Sequence, residues 1–227
     1  MNMKAVFSIH RKDKWIWLYI PLIILSFSFF VNLIVSLLIN NDENIYSGGV
    51  ISIFAYVLTL GMIVVAQSFS FAIGMSVTRK DYFWGTALMG LTANFIIALF
   101  VSIFAFFENM LNSWGNRLYF FHLPYLNEGI FMEQLVMYMI LFTFLFFLGF
   151  LIMSFAKRFG GKGLLLLLLS LLLASSIAVF LFHHFRVWTD IFHWFLSQTA
   201  AGVSYWLLPL ILFSIASSFF LLRKASV

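Results

Sequence analysis

Six stretches of the chain are apolar over about 20 residues each, and short polar segments separate them. An α-helix rises about 1.5 Å per residue, so a stretch of this length crosses the roughly 30 Å hydrocarbon core of a bilayer. The pattern therefore predicts an all-α membrane protein whose six transmembrane helices cover residues 15–39, 50–75, 82–107, 132–156, 163–182 and 202–222.

Two shorter segments show the spacing of an amphipathic helix. In residues 1–14, Val6, Phe7 and His10 alternate with basic residues, which predicts either a helix lying on the membrane surface or a basic tail that sets orientation. Residues 184–197 place large apolar side chains at helical spacing just before the last span. They predict an interfacial or re-entrant outer helix, with an aromatic-belt loop as the alternative.

Composition excludes a water-soluble fold. Sixty-three per cent of the 227 residues are apolar and 9% are charged, whereas a soluble domain carries about 25% charged residues. The spans and their short loops occupy nearly the whole chain, so we expect a single transmembrane domain over residues 1–227. Cysteine is absent, which excludes disulfides, thiolate catalysis and sulfur-ligated metals.

The charges divide between alternate connecting segments. Eleven of the 13 Lys and Arg residues fall in the amino-terminal segment, the second and fourth loops and the carboxyl-terminal tail. Six of the eight acids fall in the other loops, namely Asp42, Glu43, Glu108, Glu128, Glu133 and Asp190. Because Lys and Arg favour cytoplasmic loops, the pattern predicts that both termini are cytoplasmic.

The predicted spans contain no ionisable residue near their centres. Glu108, Glu133, His183 and Arg186 fall near outer ends, where snorkelling or headgroup contact accounts for them. Among the polar residues within spans, Gln67 and Asn94 are candidates for a substrate path, although hydrogen bonding between packed helices is the commoner role.

Few residues carry the signature of a catalytic or ligand site. His183, His184, Asp190 and His193 have metal-ligand side chains, but no HExxH motif accompanies them, and interfacial histidines are the better interpretation. The GGKG run at 160–163 lacks the earlier glycine and the following Ser or Thr of a phosphate-binding loop. We expect no catalytic residue, cofactor, metal or nucleic acid site in this chain.

The sequence GMSVTRKDYFWG, residues 74–85, forms a short inner loop between the second and third spans. In this loop and in its topology the chain resembles the permease subunits of export-type (type-two) ABC transporters, in particular the small Gram-positive members. The resemblance implies a bacterial plasma-membrane protein whose loop contacts a separate ATPase. The implied contact residues are Ser76, Thr78, Arg79, Lys80, Asp81, Tyr82 and Phe83. The alternative interpretation is that Arg79 and Lys80 only determine the topology, through the positive-inside rule.

The resemblance also implies the partners. ATP and Mg²⁺ would bind to the cytoplasmic ATPase, residues 1–14 would form a connecting helix beside it, and a second copy or a related permease would complete a path through the lipid bilayer. An aromatic interior with few charges favours export of an amphipathic or hydrophobic substrate such as a lipid or peptide antibiotic. The alternatives are a membrane scaffold or sensor that binds a cytoplasmic partner, an ion-coupled carrier, and a membrane enzyme that uses the outer histidines.

Overall fold

The computed structural model describes residues 3–39, 44–111, 113–115, 117–122 and 129–225, and the chain is mostly helical. A π-helical turn at Trp15–Tyr19 leads directly into the second helix, and two short strands lie in the loops. The helices are α1 Met3–Lys12, α2 Ile20–Leu38, α3 Ile51–Gly74, α4 Arg79–Met110, α5 Phe131–His184, α6 Trp188–Ser197, α7 Ala200–Tyr205 and α8 Leu207–Arg223.

Five helical segments of the described chain are long and apolar enough to cross a bilayer. They are Trp15–Leu38, Gly48–Gly74, Arg79–Met110, Phe131–His184 and Ala200–Arg223. The predicted stretches fall within these segments, and two of them, 132–156 and 163–182, fall within the single helix α5. The chain is thus a multi-pass helical membrane protein, as the apolar pattern predicts.

Helix α5 is interrupted at Gly160. This glycine has φ 73° and ψ 177°, a conformation outside the helical region that glycine adopts without steric cost. A Cβ at Gly160 would meet no atom within 4 Å, so backbone conformation rather than crowding explains the glycine. The interruption separates a buried first half of α5 from a second half whose side chains are largely exposed.

The core lies where α3 crosses the first half of α5. Gly61 of α3 lies against the carbonyl of Phe146, and Gly149 of α5 lies against the carbonyl of Leu58, with no room for a Cβ at either glycine. Small residues at a crossing let two backbones approach closely, which is the commonest way that helices associate within lipid. Buried aromatic side chains fill the space around this crossing: Phe69, Tyr82, Phe83, Phe142, Phe146, Phe147 and Phe150.

One end of the bundle collects the basic segments. Helix α1 packs on the beginning of α4, Arg79 at the start of α4 contacts the end of α8, and Lys157 near the Gly160 interruption contacts Ser70 near the end of α3. We call this the basic end. The predicted helix within residues 1–14 is present as α1, but it packs against α4 instead of lying free on a surface.

The opposite end, which we call the acidic end, contains a small parallel ladder. Strand β1, Ile45–Tyr46, pairs with β2, Leu118–Tyr119, and the rings of Tyr46 and Tyr119 stack with centroids 4.9 Å apart. The ladder joins the loop after α2 to the loop after α4. Asp42, Glu43 and Glu128, which contribute to the charge pattern, lie outside the described residues.

The predicted outer helix of residues 184–197 is present as α6, Trp188–Ser197, and its side chains are exposed or half-buried. Arg186, with φ 55°, makes the turn between α5 and α6. Helix α7 then begins beside the start of α5. Glu133 of α5 and Thr199, which precedes α7, line the same cavity of about 320 Å³.

Candidate functional site

The turn between α3 and α4 is rigid because the end of α3 forms a Schellman motif. The Val77 amide donates to the carbonyl of Ala72 at 3.1 Å, and the Ser76 amide donates to that of Ile73 at 2.9 Å. Ser76 has φ 60°, the left-handed conformation that this motif requires and that glycine more often supplies. Val77 and Ala72 are both buried, which completes the hydrophobic contact of the motif.

The start of α4 is capped by Thr78. The Thr78 hydroxyl accepts a 3.1 Å hydrogen bond from the Asp81 amide and donates at 2.8 Å to the Asp81 carboxylate. Asp81 also lies in the first turn of α4, where a negative charge interacts favourably with the helix dipole. Both helix ends are therefore capped by their own side chains and backbone, and the four residues 75–78 suffice to connect them.

The charged residues of the turn have different surroundings. The Arg79 guanidinium donates at 2.7 Å to the carbonyl of Arg223, one of the carbonyls that the last turn of α8 leaves without a helical partner. Lys80 is exposed, as are Ser76 and Thr78, whereas Arg79 and Asp81 are half-buried. Arg79 thus ties the turn to the end of α8, and the side chain of Lys80 projects into solvent.

Tyr82 and Phe83, two of the predicted contact residues, face the interior. Tyr82 is 0% exposed and Phe83 is 1% exposed. The Tyr82 hydroxyl lies 2.9 Å from the hydroxyl of Ser68, and the Phe83 ring packs edge-on against Phe150 and Phe219. A protein bound to this turn would not touch either ring, so the part of the predicted set that reaches the surface is Ser76, Thr78, Arg79, Lys80 and Asp81.

Helix α1 lies against the beginning of α4, immediately beside this turn. A Cβ at Gly85 would lie 2.7 Å from Val6 Cβ, so the absence of a side chain at Gly85 lets α1 approach. One turn farther along α1, His10 Nε2 lies 3.0 Å from the hydroxyl of Thr86. Burial lowers the pKa of His10 to about 4, and the nearby carboxylate of Asp13 acts in the opposite direction. His10 is therefore neutral at pH 7.

We call the exposed residues of the turn, together with α1 and the end of α8, the basic-end platform. It contains a capped turn, a helix seated on a glycine, and a guanidinium that joins two helices. Such a surface can dock another protein and pass on a push, because its parts are held to one another.

No protein-family model, curated protein or solved structure matches this chain. Its function must therefore be inferred from the geometry of the chain itself.

The two candidate path residues lie in different environments. Gln67 is on an exposed part of α3. Asn94 is 0% exposed, and its Nδ2 is 3.4 Å from the carbonyl of Phe142, while its Oδ1 has no partner among the described residues. Asn94 therefore links α4 to α5 by a hydrogen bond. The structure does not bring the two side chains together.

The outer histidines do not form a metal site within the described chain. No group of three or more His, Cys, Asp or Glu side chains there is arranged to hold a metal ion. His183, His184 and His193 are exposed, as is Asp190. Their interfacial placement stays a prediction.

Glu108 has a role that sequence reasoning missed. Its position near the predicted outer end of a span predicts snorkelling or headgroup contact, but the Glu108 side chain is 0% exposed. Its carboxylate accepts hydrogen bonds from the Trp114 indole at 2.7 Å and from the amides of Phe120, Phe121 and His122 at 3.0, 3.1 and 2.8 Å. We call this arrangement the Glu108 nest; it holds the loop after α4 against the helix end.

Proposed function

We propose that this chain is the membrane-spanning permease subunit of an ATP-driven, export-type ABC transporter in a bacterial plasma membrane. A separate cytoplasmic ATPase, which holds ATP and Mg²⁺, binds the basic-end platform. A second copy or a related permease pairs with the chain to enclose the transport path. The carried substrate is amphipathic or hydrophobic, such as a lipid or a peptide antibiotic.

The observation that carries this proposal is the doubly capped turn at residues 75–78. Caps are common at helix ends, but a turn fixed at both ends can pass a push to its two helices without first deforming. The turn's exposed residues stand on two helices of the core, and Arg79 joins them to α8. A push on the turn would thus reach α3, α4 and α8 together.

Six crossings with both termini cytoplasmic are part of this proposal. The first half of α5 begins near Thr199 at the acidic end and reaches Lys157 at the basic end. Helix α8 also ends at the basic end, at Arg223. The proposal therefore has the chain return to the acidic end between Gly160 and Thr199. Residues 161–184 are helical over roughly 36 Å, long enough for this return.

The positive-inside rule supports the orientation. The segments at the basic end include α1, the turn before α4, the Gly160 region and the end of α8, and these carry most of the Lys and Arg residues. If this end is cytoplasmic, the platform faces the compartment where an ATPase would bind.

Co-purification tests the proposal directly. The full chain is expressed with the ATP-binding cassette protein encoded beside its gene and is isolated in a mild detergent. We expect the ATPase to co-purify and its ATP hydrolysis to rise in the complex. The K80E variant should lose the ATPase, and the matched K80R variant should retain it, because Lys80 is exposed and K80E reverses its charge while K80R keeps it.

The scaffold and carrier alternatives give other results. A scaffold would retain a cytoplasmic partner that does not hydrolyse ATP, and an ion-coupled carrier would transport in a gradient without any ATPase. If neither genomic neighbour is a cassette ATPase and none is recovered with the intact chain, the proposal is wrong. It is also wrong if K80E and K80R bind and stimulate the ATPase equally.

A further inference from the structure

A groove lies between α2 and α4 and begins at the basic end. Helix α2 packs on α3, and α4 packs on α1 and α5, so the two helices have little contact with each other. Two adjoining cavities occupy the space between them, of about 270 Å³ nearer the basic end and about 160 Å³ farther along. Leu18 and Ile96 line both cavities, which makes the groove continuous.

The mouth of the groove is cationic. Arg11 and Lys14 line the larger cavity, and both are exposed. Asp13, between them in sequence, is also exposed and is not part of the cavity wall. Two positive charges thus flank an opening at the level where the transmembrane part of the chain begins.

The body of the groove is largely apolar. Beyond the mouth, the larger cavity has two hydroxyls, those of Tyr19 and Thr92, and the Thr92 hydroxyl already donates to the carbonyl of Met89 at 2.8 Å. The smaller cavity is lined only by apolar side chains: Leu18, Pro21, Leu22, Leu25, Ile53, Ile96, Ile97 and Phe100. From Met89 to Phe100 the α4 wall extends roughly 16 Å along the helix axis.

The α2 wall of the groove is formed by an unusual piece of backbone. Trp17, Leu18 and Tyr19 belong to the π-helical turn that precedes α2, and all three line the larger cavity. The Tyr56 hydroxyl donates to the carbonyl of Ile16 at 2.5 Å and fixes the turn to α3. Single π-helical turns are enriched at functional sites, and three of the five residues of this turn line the groove.

We infer that this groove is a binding site for an anionic phospholipid, with the phosphate at Arg11 and Lys14 and an acyl chain along α4. Charge complementarity selects the headgroup, because basic residues at a membrane boundary attract anionic lipids by about 1 kcal/mol each. The largely apolar, elongated body suits a hydrocarbon chain better than a polar peptide. This site does not depend on the proposed transport function.

Lipid binding can be measured on the full chain after delipidation in a neutral detergent. Phosphatidylglycerol or phosphatidylcholine is added, and bound lipid is counted by native mass spectrometry. We expect wild-type protein to bind phosphatidylglycerol preferentially, and the R11Q/K14Q variant to bind it on the order of 10- to 30-fold more weakly. The matched K4Q/K12Q variant removes two charges from α1 that do not line the groove, and it should bind like wild type.

Three results would overturn the inference. Equal binding of the two lipids would mean that the headgroup is not recognised. Equal weakening in both double variants would mean that the attraction is diffuse. Unchanged binding in R11Q/K14Q would mean that the phosphate lies elsewhere. If R11Q/K14Q does not fold, T92W provides the test: it fills the groove and keeps both charges, and retained phosphatidylglycerol in T92W would contradict the site.

Discussion

Replacement of Glu108 by glutamine tests the Glu108 nest with the smallest possible change of shape. The carboxylate accepts from the Trp114 indole and from the amides of Phe120, Phe121 and His122. A glutamine keeps one acceptor oxygen but places an NH₂ group where the other oxygen accepted. At least one buried donor then faces another donor and remains unsatisfied.

The expected cost follows from these contacts. Hydrogen bonds to a charged group contribute about 1.5–3 kcal/mol each, and an unsatisfied buried donor costs about 1–3 kcal/mol. We expect E108Q to destabilise the loop by about 3 kcal/mol, which corresponds to roughly 100-fold more frequent local opening. Hydrogen–deuterium exchange at the amides of Phe120, Phe121 and His122 measures this opening directly.

A double-mutant cycle provides the control. W114F removes one indole donor and should have a smaller effect, on the order of 1–2 kcal/mol. Because Trp114 and Glu108 are bonded directly, the effects of W114F and E108Q should not add. Exchange in E108Q that matches wild type at all three amides would refute the nest as a structural element, as would full additivity of the two substitutions.

Three further predictions concern other parts of the chain. S76G should raise the free energy of unfolding in detergent by about 1 kcal/mol, because glycine adopts the left-handed conformation without strain; a lower midpoint in a thermal scan would contradict this. G149A should lower the free energy of unfolding by about 1–3 kcal/mol, because its methyl group meets the α3 backbone, whereas G161A, with open space around it, should be nearly neutral. Since burial lowers the pKa of His10 to about 4 from an ordinary value of 6.5, the seating of α1 should be complete above pH 6.5 and be lost as the pH falls towards 4. Limited proteolysis of α1 across this range measures the loss, and H10F should remove the pH dependence.

The parts of the fold that follow from local rules were predictable from the sequence. A helix that crosses lipid needs a long apolar stretch, so such stretches can be recognised in the sequence. The predicted stretches coincide with the observed helices to within a few residues. A turn between the second and third spans was predictable because the two apolar stretches leave only a short polar segment between them, but residues 79–85, expected in the loop, belong to α4. The tip of the turn is exposed as expected, while the burial of Tyr82 and Phe83 follows from the direction in which α4 turns them.

The long-range contacts were not predictable in the same way. Glu108 reaches its four donors only because the chain turns back after α4. The sequence next to Glu108 does not predict contacts with amides 12 to 14 residues away. The packing of α1 is also hard to predict, because nothing in the sequence around Gly85 indicates that Val6 lies against it. The break at Gly160 lies between the predicted spans 132–156 and 163–182, where the sequence predicts a connecting segment.

The Glu108 nest and the β1–β2 ladder have a mechanical consequence. At the acidic end Phe29 of α2 packs against Trp114 and Phe120 of the loop that the nest holds, so α2 is attached to the end of α4. Towards the basic end the groove separates the same two helices. We therefore expect any separation of α2 from α4 to widen the groove more at the basic end than at the acidic end.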